Sequence, residues 1–563
     1  MPPGCDDPED PQGPPRRRIL LCGLDPDAAS AFVAALAAGG EEARSADACD
    51  VEVGHRGTDF IWQVCRSTQE TLETLAHQYV SAVVLDFRAQ PAARPSTDAG
   101  CEPNQLLDVL DHPADPEIRS GFHRIIALID GNGEAADRQL ARLAARGVGL
   151  VLRQRSRSDS AFERRAGRRT MDLVLDRHRG KVAICAAGGG ITGIYFEIGA
   201  LKCLADCIGP GVVRDADLVF GISAGAVVTS VLRAGYSVDE LMAAVAGTPG
   251  GRLAPLDLSL LRLGHLNTAD IGRRLRTGAG DFVRGAWQVA RGRARPSVDA
   301  LLLAATALVG SPLQAARFEE MLRALLTAPG ATNDFRDLPR PLFIGASNQD
   351  RREHVLFGSA DHDHVPISLA VQASLSINPA FSAVAIDGTW YEDGAVTRTS
   401  DFREAVGRGA DLVLVLDPFV PYTAGDEGTS DRRGVLYNID QDVRALSFTR
   451  YQGARNEMLR RRPDVSIYTF LPSEPVRLML SNNPMDHRPF LPICAGAYRS
   501  TFARLCDVRR RLRGDLVGRG LQLDLSVASA VDARLARAAR PQLSDFYADG
   551  RIEIPRPPLI AAG

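Results

Sequence analysis

A chain of 563 residues is too long for one ordinary hydrophobic core, so two or more domains are expected. Its 45% hydrophobic and 24% charged residues suit a soluble globular protein, and a net charge of −3 argues against a general nucleic-acid binder, whose footprint is basic. Ten cysteines with no C-x-x-C pair and no Cys/His cluster at zinc spacing exclude a disulfide scaffold and give no metal site.

The opening stretch, MPPGCDDPEDPQGPPRRR, is Pro-rich and has no apolar h-region. It predicts a disordered tail over 1–17 rather than a secretory signal. Arg18–Gly23 then reads as a buried strand, Ala28–Ala38 as a helix, 39–58 as irregular and Phe60–Cys65 as a strand. Thr68–His77 reads as a helix and Ser81–Phe87 as a strand ending on Asp86. After a loop-like stretch over 90–120, strand Arg124–Ile129, helix Glu134–Ala145 and strand Val148–Leu152 follow. Strands alternating with helices imply a parallel sheet. This order, over 18–155, resembles a response-regulator receiver domain, a small flavodoxin-like α/β fold. Asp86 stands where that family keeps its phosphate-accepting aspartate, and Arg153 where it keeps a lysine. The first turn, Gly23-Leu24-Asp25-Pro26-Asp27, lacks the adjacent acids that hold magnesium in the family. The resemblance therefore implies a degenerate module that is not phosphorylated and that docks a regulatory partner. Residues 156–180, rich in arginine, predict a solvated basic linker helix capped by Ser158 or Ser160, with contact to anionic lipid as the alternative.

A second alternation starts at Lys181. Strand Val182–Ala187 runs into Gly188-Gly189-Gly190, and strand Leu218–Ile222 into Ser223 and the helix Ala224–Ala234. Gly221-Ile222-Ser223-Ala224-Gly225 between an apolar strand and an apolar helix is what a nucleophile elbow requires. The flanking glycines Gly221 and Gly225 permit the tight turn, and the helix N-terminus favours developing negative charge. In Gly188-Gly189-Gly190-Ile191-Thr192-Gly193, bare backbone N–H groups suit an oxyanion hole; no acid follows at dinucleotide-binding spacing. Farther on, strand Pro341–Ala346, helix Val365–Leu375, a hairpin turning at Asp387-Gly388, and strands Leu412–Leu416 and Val465–Phe470 are expected. Asp393-Gly394-Ala395 follows the hairpin, and 488–540 reads as mainly helical.

The GGGxxG loop, the GxSxG elbow and Asp393-Gly394-Ala395, in that order, resemble the patatin-like phospholipase family. FRDLPRPLFIGASNQDRREHVLF (335–357), ASLSINPAF (373–381) and SNNPMDHRPF (481–490), the last like bacterial members, extend the resemblance over roughly 181–510. The cation that many members carry inside GGGxxG is replaced by Ile191-Thr192.

The resemblance implies a three-layer α/β/α sandwich with a mostly parallel central sheet over 181–563, with a C-terminal helical extension. It implies a serine acyl hydrolase of lipid esters in which Ser223 attacks, Asp393 is its base, and no cofactor or metal takes part. The oxyanion would rest on N–H groups of the Gly188–Gly190 loop and Ala224. Two alternatives stay open: a catalytically weak regulatory protein, and a Ser–acid–His esterase, for which His487 is the one histidine after Asp393. Lipid or another acyl ester is the expected partner, with peripheral membrane contact as a further candidate and the cytosol as the default compartment. The apolar run Val298–Gly310 is shorter than the ~20 residues a bilayer span needs. Within 298–325, core packing competes with a lid over the Ser223 pocket.

Overall fold

The computed structural model describes residues 16–554 apart from 25, 38–42, 46–49, 57, 78–79, 89–101, 112–124, 147, 149, 157–160, 177–179, 249–250, 257, 259–290, 292–314, 379–380, 463–464, 483–485, 487, 518 and 553. The chain divides into two compact units. The first comprises Met1–Gly180, Arg455–Ile467 and Arg504–Asp524; the second comprises Lys181–Ala454, Tyr468–Ala503 and Leu525–Gly563. The second unit begins at Lys181 and leaves out 455–467 and 504–524 of the span 181–563. Two long helices, Val435–Arg461 and Phe490–Val517, each start in the second unit and end in the first.

The first unit is built on strands β1 (Arg16–Cys22), β2 (Ala43–Ser45), β3 (Asp50–His55), β4 (Thr58–Cys65), β5 (Ala82–Asp86), β6 (Ile125–Asp130) and β7 (Leu150–Gln154), in the order β2-β3-β4-β1-β5-β6-β7. β4, β1, β5, β6 and β7 are mutually parallel. Their order is the flavodoxin-like 2-1-3-4-5 arrangement. β2 and β3 add an antiparallel edge inside 39–58, which the sequence suggested was irregular. The cause is a short period-2 pattern: Val51 and Val53 turn inward while Glu52 and Gly54 are half-exposed. After helices α1 (Pro26–Ala37), α2 (Thr68–His77), α3 (Pro103–Asp111) and α4 (Glu134–Ala145), helix α5 (Phe162–Asp176) covers the stretch expected as a solvated linker. Phe162, Ala166, Met171 and Val174 are buried in one core with Ile19, Phe32 and Trp62, while Arg164, Arg165, Arg168 and Arg169 are exposed. The tail 1–15 and Ser158 and Ser160 lie outside the described residues.

Open parallel sheets bind ligands beyond the carboxyl ends of their strands, where the strand order reverses. Here that crevice, between β1 and β5, is filled. The buried Asp86 carboxylate is clasped from both oxygens by Arg88, with Nη2 to Oδ2 2.6 Å and Nε to Oδ1 3.0 Å. Arg88 also donates to Gln154 (2.7 Å) and Glu163 (3.0 Å). A Cβ on Gly23 would lie 2.5 Å from Pro103 Cγ, so Pro103 closes the other side. Arg153, at the position of the receiver lysine, pairs with Asp137 at 2.7 Å.

The second unit has strands β8 (Lys181–Ala186), β9 (Leu218–Ile222), β10 (Leu342–Asn348), β11 (His354–Phe357), β12 (Val384–Ile386), β13 (Thr389–Asp393), β14 (Ala410–Leu416) and β15 (Ser466–Phe470). The order is β12-β13-β10-β9-β8-β14-β15, with β11 on β10. β14–β8–β9–β10 is parallel, and the β12–β13 hairpin adds antiparallel to β10. The central strands are nearly continuous apolar runs because helices cover both faces. This is the mostly parallel α/β/α arrangement expected. Helices α6 (Gly190–Ile208) and α7 (Ala224–Arg233) are apolar on almost every side and almost wholly buried. At the far end of α7, buried Arg233 donates to the carbonyls of Val213, Arg214, Ala216, Arg340 and Pro341. It thereby ties down the loops that lead into β9 and β10. Among the described residues no helix is long and apolar enough to cross a membrane.

Since Arg88 already occupies Asp86, incubation with acetyl phosphate and magnesium is expected to leave the intact mass unchanged. An added phosphate on Asp86 would show the site to be open.

Candidate active site

β9 ends at Ile222, and Ser223 caps α7 with φ 53° and ψ −116°, a left-handed conformation rare outside glycine. Such strain lifts the side chain out of the strand and sets it at the helix N-terminus. The turn is closed by glycines for want of space: a Cβ on Gly225 would lie 2.7 Å from Ala186 Cβ, and one on Gly221 2.7 Å from Ala226 Cα. Gly225 N–H donates to Ala187 O (3.1 Å), which joins the elbow to the end of β8. The Gly188–Gly190 loop continues from there. A Cβ on Gly188 would stand 3.2 Å from Ser223 Cβ, so the loop passes directly beside the serine. Gly190 and Ala224 are the first residues of α6 and α7, where N–H groups have no intrahelical acceptor.

Asp393 ends β13 and is 2% exposed. Its carboxylate accepts a hydrogen bond from Ala395 N–H (Oδ1, 2.8 Å), and Ser223 stands near enough to act on its pKa. Burial pushes its pKa up to about 7; the Ala395 N–H and Ser223 hold it down in part, and neighbouring Glu392 adds to the rise. Glu392 is itself occupied by Arg352 (2.6 Å) and Asn378 (2.7 Å). All the residues predicted for the site, Ser223, Asp393, Gly188–Gly190, Ala224, Gly221 and Gly225, thus fall at one end of the sheet.

Two residues that sequence reasoning passed over hold this pair together. Ser374, buried at the end of helix Ile367–Ser374, accepts the Ser223 N–H (2.8 Å) and donates to Gly345 O (2.6 Å). Two residues later, Ser376 O accepts the Asp393 N–H (3.0 Å). The available signal was the ASLSINPAF stretch, but nothing in its composition says which serines face inward. The histidines 354, 362 and 364 do not converge: His354 meets Thr397, His362 packs on Phe357, and His364 meets Asp387. Among the described residues no cluster of three or more His, Cys, Asp or Glu could hold a metal. His487 and the apolar run 298–310 lie outside the described residues. The amphipathic helix Ala316–Leu326 beyond that run turns Phe318, Leu322 and Leu326 into the core.

Residues 184–406 match the model of a family described as patatin-like phospholipase. Among solved structures, VipD from Legionella pneumophila is 17% identical over 45% of this chain and 52% of its own, with a TM-score of 0.25. The type III effector protein ExoU is 16% identical over 66% of this chain and 68% of its own, with a TM-score of 0.23. The chain spans about half the length of VipD. No curated protein is a match.

Removing the Ser374 hydroxyl leaves the buried Ser223 N–H without its acceptor. Ser374→Ala is therefore expected to lower unfolding stability by ~1–3 kcal/mol in urea titration. A change below a few tenths would mean that the bond carries no weight.

Proposed function

We propose that the patatin-like phospholipase domain of this chain hydrolyses carboxylic esters of lipids, with Ser223 as nucleophile and Asp393 as its base. The observation that carries this reading is a fully buried carboxylate beside a strained serine, with no cation among the groups that set its pKa. Free serine is a poor nucleophile and needs a hydrogen-bonded base. An aspartate is a weak base in water, but burial raises its proton affinity toward the working range.

In this mechanism Asp393 takes the hydroxyl proton as Ser223 Oγ bonds to the ester carbonyl carbon. The carbonyl oxygen becomes an oxyanion held by N–H groups of the Gly188–Gly190 loop and of Ala224, at the N-termini of α6 and α7. Collapse breaks the ester C–O bond, and the alcohol leaves with the proton from Asp393. Water then attacks the acyl-serine, giving a proton to Asp393; the acyl–Oγ bond breaks, Ser223 Oγ takes that proton back, and the acyl group leaves as a fatty acid. No histidine and no metal is needed. Peripheral contact with a lipid surface, and a partner for the first unit, extend the same reading.

The test is lipid product analysis by mass spectrometry beside kinetics on a short soluble ester. Ser223→Ala and Asp393→Asn should each lower kcat by ~10³-fold or more. Retained fatty-acid release in Ser223→Ala would refute the assignment.

The base must be ionised, so kcat/KM should climb with pH through an apparent pKa of about 7 and level off above it. The stability sign is opposite. The folded pKa lies above the ordinary 3.8, so burial of the charge costs stability increasingly as pH rises from about 4 to about 7. Asp393→Asn should therefore raise Tm more at pH 8 than at pH 5, even as it abolishes turnover. An equal shift at both pH values would contradict the buried-charge account.

A further inference from the structure

Resting on the dyad reading, we propose that His354 and Asp401 form a positioning pair that holds the Asp393 turn in reacting register through Thr397 and Ser347. Neither residue touches Ser223 or the Asp393 carboxylate, and the mechanism above does not use them.

The connection is continuous. Ser347 Oγ donates to the Asp393 carbonyl (2.9 Å) and lies 2.8 Å from Thr397 Oγ1. Thr397 Oγ1 lies 2.9 Å from His354 Nδ1. His354 Nε2 lies 2.8 Å from Asp401 Oδ1, within ion-pair range although off the line of a good hydrogen bond. The two side chains are 7% and 0% exposed.

A carbonyl only accepts, so the Ser347 proton points at Asp393 O. Thr397 Oγ1 stands within hydrogen-bond distance of both Ser347 Oγ and His354 Nδ1 and also reaches Gly394 O (3.3 Å), so it ties His354 to the turn at two points. Burying the polar ends of His354 and Asp401 is costly unless they find partners, which makes a merely decorative contact a poor explanation.

The packing places the pair where it can act. A Cβ on Gly345 would fall 2.7 Å from Asp401 Oδ2, 3.0 Å from His354 Cε1 and 2.9 Å from Ile222 Cγ1. Gly345 stands opposite Ile222 in the β9–β10 register, and its neighbour Ala346 stands opposite Asp393. The pair therefore wedges against the one strand that separates the two members of the dyad. The carbonyl of Gly394 also accepts the N–H groups of Thr397 and Arg398, so movement of Thr397 is transmitted to the turn directly.

The experiment cuts the chain at its middle link. Thr397→Val removes the hydroxyl at nearly constant volume and leaves His354 and Asp401 in place; Thr397→Ser restores the hydroxyl. His354→Leu removes the origin, and Ser223→Ala sets the background. Two readouts are taken on the full chain: hydrogen–deuterium exchange of the amides of 393–398, and kcat and KM on a short soluble ester.

In Thr397→Val, exchange over 393–398 should accelerate at least severalfold, and kcat should fall by ~10-fold or more with KM within about twofold. Thr397→Ser should restore both. Wild-type exchange, or wild-type kcat despite faster exchange, in folded Thr397→Val overturns the inference. So does a loss of kcat that Thr397→Ser shares. Should His354→Leu fail to fold, the Thr397 pair decides alone. Full activity in Ser223→Ala would instead sink the dyad reading, and that outcome is separate because the exchange readout does not depend on turnover.

Discussion

A carboxylate held out of water beside a hydroxyl, with no cation to soothe it, is the constraint around which the second unit is arranged. Left in solvent, Asp393 would be a weak base; paired with an arginine, it would be weaker still. Its position is set by strand register. β10 lies between β9 and β13, with Gly345 opposite Ile222 and Ala346 opposite Asp393. Ser223 and Asp393 thus emerge from strands one apart, at the same end of the sheet. The Ser374–Ser376 segment takes one backbone N–H from each, so a single helix end fixes both halves.

The surrounding polar groups show how selectively the molecule leaves acids unpaired. Glu392, next to Asp393, has Arg352 and Asn378; Glu240 has Arg252; Asp86 has Arg88. Two further buried acids have raised carboxyl pKa values. Glu197 on α6 is wholly buried, and burial together with Asp417 drives its carboxyl well up. Burial likewise lifts Asp417 to about 6, offset by the Phe419 N–H and by Arg444. Asp417 precedes Pro418, which packs on Gly189 and Gly193.

The first unit makes the opposite use of the same elements. It keeps the 2-1-3-4-5 parallel order and an aspartate at the end of β5, but fills the crevice with Arg88 and Pro103. The arginine that neutralises Asp86 comes from two residues farther along, not from the Arg153 position. A fold-level resemblance consequently says little about whether a site is open, because one side chain of the right reach is enough to close it.

By itself the sequence determined what depends on short stretches. Gly221-Ile222-Ser223-Ala224-Gly225 between an apolar strand and an apolar helix specifies an elbow, since only small residues fit its turn. Asp387-Gly388 specifies the hairpin for a similar reason, with φ 50° and 77°. Apolar runs gave the central strands, whose period and length are local properties. What only the tertiary structure decided was partnership over long separations. That α5 belongs to a core, that Ser374 faces the elbow, and that His354 on a polar-looking strand is buried against Asp401 depend on what packs opposite. A serine or histidine carries no local mark of its orientation, because the same side chain is equally satisfied by water until a sheet register and a neighbouring helix take the water away.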